Sequence, residues 1–171
     1  MRRAADLLTL SRAELGLPLL LALAAGAQPL AWGLLVLGGL SDAADGWLAR
    51  RAGGGSVWGA RLDPLTDKIL ISAPLLWLGA EGRLPLWAVW LLLARELLIS
   101  GWRAGQGSGG PASLAGKAKT TLQFAALLLL LWPEAWGSAA AVSQLHQLGW
   151  WLFWPSLLLA FSSALGYLRS P

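Results

Sequence analysis

Apolar residues in this chain come in long runs, separated by short charged or glycine-rich stretches, which is the pattern of bilayer-spanning helices. From Leu15 to Leu40 no residue is charged. That run is too long for one ordinary span, and Gly26-Ala27-Gln28-Pro29 breaks it in the middle. It therefore predicts two helices, roughly 6–26 and 30–51, joined by a tight turn at Gln28-Pro29. Four more are predicted at about 60–80, 84–104, 114–132 and 147–168. Each is near the length needed to cross a hydrocarbon core of about 30 Å. The expected fold class is an all-α membrane protein of six transmembrane helices, one domain over residues 1–171, with both termini on the same side.

Composition strengthens this picture. The chain has 171 residues, 56% of them hydrophobic, and a soluble domain of this size has too much surface to hide so much Leu, Ala and Trp. The first segment does not read as a cleavable signal peptide: Glu14 stands beside its apolar run, no clear small-residue cleavage site follows, and several similar runs come after. The absence of Cys excludes disulfides, thiolate metal sites and cysteine nucleophiles.

The formal charge is +4, and the placement of the basic residues explains it better than nucleic acid does. With six helices, every Lys and Arg except Arg83 falls on or nearest the side that holds the termini, which marks that side as cytoplasmic. Trp32, Trp77, Trp87, Trp90, Trp132, Trp136, Trp150, Trp151 and Trp154 gather toward the other boundary, as an aromatic belt would. The basic excess also suits anionic lipid headgroups. Gly53-Gly54-Gly55-Ser56 and the run from Gly105 to Gly110 read as flexible cytoplasmic loops.

Candidate chemistry sits at the cytoplasmic ends of the second and third helices. Asp42 and Asp45 are three apart and Asp63 and Asp67 four apart, so each pair shares a helix face. A short connection makes the two helices antiparallel neighbours, and their acidic faces can converge. Four carboxylates together repel unless a multivalent cation neutralises them. An all-oxygen donor set suits Mg²⁺ or Mn²⁺ rather than Zn²⁺. Any single Asp is readable as a charge at a helix end. Four of them are harder to dismiss, because each costs about 2.5–3.5 kcal/mol at membrane depth.

The full run reads Asp42-x2-Asp45-Gly46-x2-Ala49-Arg50-x8-Gly59-x3-Asp63-x3-Asp67. It resembles the signature of the CDP-alcohol phosphatidyltransferases at every fixed position. The resemblance implies that Asp42, Asp45, Asp63 and Asp67 hold two metal ions and that Asp67 doubles as general base. It also implies that Gly46, Ala49, Arg50 and Gly59 line the cleft for the CDP group. The chemistry of the residues agrees: glycine lets helices approach closely and leaves room for a nucleotide, and Arg50 offers a fork for pyrophosphate oxygens. Taken singly, Gly46 and Gly59 serve plain helix packing equally well. Pro64, directly after Asp63, predicts either a helix start or a kink.

The signature fixes the donor and leaves the acceptor open. Three further segments, Leu7 to Arg12, Ala94 to Arg103 and Gly116 to Gln123, resemble parts of bacterial phosphatidylglycerophosphate synthases. That resemblance implies glycerol 3-phosphate as acceptor, an anion suited to a basic pocket of Arg95, Arg103, Lys117 and Lys119. Topology and lipid headgroups also account for Arg103, Lys117 and Lys119. Arg95 is set well inside a span, and Glu96 beside it points about 100° away, so an ion pair between them does not follow from spacing. Asp6 departs from the family pattern, which often has Asn there. His146, Glu81 and Glu134 read as ordinary polar residues.

The reaction implied is direct transfer of the phosphatidyl group of CDP-diacylglycerol to glycerol 3-phosphate at the cytoplasmic face of the cell membrane, with CMP released. The resemblance further implies a homodimer. Two other readings stay open. One is the same fold with inositol phosphate, serine or phosphatidylglycerol as acceptor. The other is a cation transporter, which predicts acids near the midplane and a route to both sides.

Overall fold

Every described element of the chain, in a computed structural model, is helical. The structure describes residues 14–51, 57–105 and 114–169, with side chains at 14–41, 44, 68–101 and 116–164. A first helix, α1, is described over 14–24. It is followed by α2 (Gln28–Arg51), α3 (Val57–Ala80), α4 (Leu86–Gly105) and α5 (Leu114–Leu130), then a 3₁₀ turn at Glu134–Trp136 and α6 (Ala139–Arg169). Among the described residues there is no strand. The all-α class and the six helices are as predicted.

Two helix ends show why the breaks fall where they do. Gly26 has φ +70° and Gly82 φ +69°, a left-handed conformation open to glycine at little cost. At the first, Ala27 N donates to Ala22 O at 2.8 Å and Gly26 N to Leu23 O at 3.0 Å. The paired bonds satisfy the last carbonyls of α1. Arg83 N to Leu78 O at 2.9 Å and Gly82 N to Gly79 O at 3.2 Å repeat the arrangement after α3. Pro29 then falls in the first turn of α2, where its missing N–H removes no helical bond.

The last helix starts eight residues before the predicted 147. Ser138 Oγ accepts from Ala141 N at 3.3 Å and Ser138 O from Val142 N at 3.0 Å, and three strong helix formers follow, Ala139 to Ala141. An apolar run alone misses this start, because the first two turns of α6 are amphipathic, with Val142 buried and Ser143 and Gln147 exposed. Pro64 lies inside α3 rather than at its beginning. Pro155 likewise lies inside α6, where Ser156 Oγ donates to Phe153 O at 2.6 Å.

The helices form two compact units, Met1–Trp77 and Leu78–Pro171. In the first, Ile69 and Leu70 of α3 are met from two sides by glycines. A Cβ on Gly16 of α1 would lie 3.3 Å from Ile69 O, and one on Gly38 of α2 would overlap the Leu70 side chain. Leu19, Leu23 and Leu35 fill the core around them. In the second unit α5 and α6 pack closely, with Leu92, Leu127, Phe153 and Ala160 buried.

Large apolar side chains also face outward, among them Trp90, Leu98, Trp151 and Leu158, the two leucines each 72% exposed. Among the described residues no helix is long and apolar enough to cross a membrane. Membrane-spanning character therefore does not follow from the helices alone.

Candidate active site

The signature residues are carried by two helices. Asp42, Asp45, Gly46, Ala49 and Arg50 belong to α2, and Gly59, Asp63 and Asp67 to α3. Both helices are unbroken through these positions, so the three- and four-residue spacings place each acid pair on one helix face. Within the same compact unit, Gly38 of α2 seats the Leu70 side chain of α3. Position 42 lies one turn beyond that contact along α2, and position 67 one turn before it along α3. Both lie toward the short connection at 52–56. The side chains of Asp42, Asp45, Gly46, Ala49, Arg50, Gly59, Asp63, Asp67 and Arg103 lie outside the described residues, as does Asp6 altogether.

The second group of predicted residues falls in the second unit. Arg95 is 8% exposed and Lys119 7%. Arg95 Nε donates to Ala160 O at 2.7 Å, Nη1 to Glu96 Oε1 at 2.8 Å and Nη2 to Ser163 Oγ at 2.7 Å. Lys119 Nζ donates to the same Glu96 Oε1 at 2.6 Å. One buried carboxylate oxygen thus joins two cations from α4 and α5, while α6 holds the guanidinium from its other side. Such a network follows from burial: a charge withdrawn from water must be paired and hydrogen-bonded. Lys117 is exposed on the first turn of α5, apart from this network.

Sequence spacing did not bring out Glu96, Ser163 or Gln123, all buried. Arg95 and Glu96 bond despite the angle between adjacent positions, because long side chains on neighbouring residues can curl toward each other. The available signal was composition: a carboxylate inside an apolar run needs a cationic partner, and Lys119 was the cation in the facing run. His146 bonds through Nε2 to Trp132 O at 3.0 Å, an ordinary polar contact between α6 and the segment that follows α5.

Every described element is helical, and comparison of sequences gives the class. The profile of the CDP-alcohol phosphatidyltransferase family matches residues 2–162, and the chain belongs to that family. It is 38% identical over 137 residues to a Mycobacterium tuberculosis protein named probable phosphatidylglycerophosphate synthase, covering 75% of this chain and 66% of the relative. A Salmonella typhimurium protein named CDP-diacylglycerol–glycerol-3-phosphate 3-phosphatidyltransferase is 34% identical over 157 residues, 83% of this chain and 81% of its own. A Bacillus subtilis protein of the same name is 37% identical over 101 residues, 57% of this chain and 52% of its own.

Proposed function

We propose that this chain transfers the phosphatidyl group of CDP-diacylglycerol to glycerol 3-phosphate, releasing CMP and phosphatidylglycerophosphate. Family membership fixes the class, and the names of the relatives support this donor and acceptor. The structural observation that carries the reading is the Gly38–Leu70 contact, which sets the two signature helices side by side one turn from Asp42 and Asp67.

In this reading Asp42, Asp45, Asp63 and Asp67 hold two divalent cations, Mg²⁺ or Mn²⁺. Four carboxylates fit such hard cations. When bound, the cations supply neutralisation of negative charge on the attacking and leaving oxygens. Gly46, Ala49, Arg50 and Gly59 accommodate the CDP group. Asp67 takes the proton of a glycerol 3-phosphate hydroxyl, that oxygen forms a bond to the phosphorus bearing the diacylglycerol, and the bond to CMP breaks. Arg95, Arg103, Lys117 and Lys119 receive the acceptor's phosphate. Glu96 suits this task because it presets the heads of Arg95 and Lys119 through one oxygen, and positive groups fixed in advance lose little freedom on binding.

The chain is embedded in the cell membrane by six helices, both termini and the site facing the cytoplasm, and it works as a homodimer. Supporting this are the outward Leu and Trp side chains, which water would not favour in such density.

Release of CMP from CDP-diacylglycerol by the purified protein, with and without glycerol 3-phosphate, tests the assignment. Release that depends on glycerol 3-phosphate supports it. Release only with inositol phosphate, serine or phosphatidylglycerol would overturn the acceptor, and no release with any of them would overturn the reaction.

A further inference from the structure

The buried stripe of α5 runs through Lys119, Gln123, Ala126, Leu127 and Leu130, a helical spacing that keeps these residues on one face. Lys119 opens the stripe and reaches Glu96 Oε1 of α4 at 2.6 Å. Gln123 follows one turn later, and beyond it the stripe is apolar. Gln123 is only 3% exposed. Among the described residues, even so, its side-chain amide has no hydrogen-bond partner.

A primary amide carries two donors and an acceptor with two lone pairs. Leaving them unpaired among packed side chains weakens a fold. Helix packing alone favours Leu or Met at such a position, which fill the same length without that cost. The amide is also not sealed. Among the described residues, the only fully covered side-chain nitrogen or oxygen without a partner is Trp154 Nε1. The Gln123 head, equally unpartnered, therefore keeps the small opening that the residue retains. It is held in place, unpaired and reachable, which suits a ligand that arrives later.

We propose that Gln123 determines acceptor specificity, its amide bonding the central hydroxyl of glycerol 3-phosphate while Arg95 and Lys119 hold the phosphate. The terminal hydroxyl is then left free to attack. This inference rests on the acceptor and the phosphate contacts assigned above. Four residues of helix advance about 6 Å, so Gln123 follows Lys119 at a distance comparable with the reach of a three-carbon phosphate. A hydroxyl both donates and accepts, and an amide answers both, whereas the heads of Arg95 and Lys119 only donate. A phosphate monoester without the central hydroxyl leaves the amide unpaired, and a site built around such a bond rejects it.

CMP release from CDP-diacylglycerol is measured with glycerol 3-phosphate and with 3-hydroxypropyl phosphate, which keeps the phosphate and terminal hydroxyl and lacks the central one. The wild type should favour glycerol 3-phosphate by about tenfold or more in kcat/KM. Gln123→Met keeps the length of the side chain and removes the amide. It should bring the two acceptors within about threefold of each other, through a loss with glycerol 3-phosphate. Gln123→Asn, which retracts the amide, should fall between. Without acceptor, Gln123→Met should melt no lower than the wild type, because no bond within the protein is lost. A wild type indifferent to the central hydroxyl overturns the proposal, as does a Gln123→Met enzyme with the wild-type preference. A Gln123→Met protein that melts well below the wild type also overturns it, since the amide then serves the fold. If the wild type releases no CMP with either phosphate, the acceptor assignment itself falls, and this inference with it.

Discussion

Lys119 Nζ of α5 lies 2.6 Å from Glu96 Oε1 of α4, a buried ion pair whose oxygen also accepts from Arg95 at 2.8 Å. The pair ties two helices that are connected only through the glycine-rich stretch after Gly105. It also fixes the geometry of two cations assigned here to the acceptor's phosphate. In the proposed function, stability and acceptor binding share this one carboxylate.

Replacing that carboxylate with an amide should be severe. In Glu96→Gln two buried cations lose a shared negative partner together, and breaking a buried pair costs about 3–5 kcal/mol. Thermal unfolding in detergent should show a marked drop in midpoint. Adding Lys119→Met should recover part of the loss, because one of the two buried cations is gone. Strictly additive losses would show that the pair is uncoupled.

Arg95 separates charge from shape. Its planar head reaches Ala160 O, Glu96 Oε1 and Ser163 Oγ at once, which a lysine ammonium on a different stem cannot reproduce. Arg95→Lys should therefore lower stability by about 1–3 kcal/mol despite unchanged charge. In steady-state kinetics KM for glycerol 3-phosphate should rise more than kcat falls. Ser163→Ala, which removes one of the three acceptors, should give a smaller change in the same direction. An Arg95→Lys enzyme with wild-type stability and KM would remove Arg95 from both roles.

Two glycines predict opposite outcomes. A Cβ on Gly149 would lie 2.9 Å from Ala126 O, Leu129 Cβ and Leu130 N, where α6 rests on α5. Gly149→Ala must push the helices apart and should destabilise by about 1–3 kcal/mol. Among the described residues, nothing lies within 4 Å of a Cβ on Gly101 of α4, so Gly101→Ala should stabilise by up to about 1 kcal/mol through helix propensity alone. Paired melting curves decide both.

Helix positions were legible in the sequence because their breaks are chemical. Gly26 and Gly82 take left-handed turns that a neighbouring apolar residue would resist, and Pro29 suits the helix start that follows the first. The start of α6 was not legible, since Ser138 and the three alanines give a propensity signal where the reading followed hydrophobicity. The aspartate pairs were visible as spacing, and the continuity of α2 and α3 gives that spacing its meaning. Glu96 was hidden because its main cationic link, to Lys119, is 23 residues away in sequence, and spacing along one helix says nothing about a facing one.

Metal dependence distinguishes the roles of the four aspartates. Chelation should abolish CMP release, and either Mg²⁺ or Mn²⁺ should restore it. Asp42→Asn removes one negative donor, so the metal requirement should shift to higher concentration and excess Mg²⁺ should recover much of the rate. If Asp67 is the base proposed above, Asp67→Asn also removes the group that takes the acceptor's proton, a contribution of about 10²–10⁴-fold. Its activity should stay low at any Mg²⁺ concentration, because an amide at that position has no basicity for added metal to restore. If excess Mg²⁺ rescued Asp67→Asn as fully as Asp42→Asn, Asp67 would be a ligand alone, and the proton would have to leave by another group.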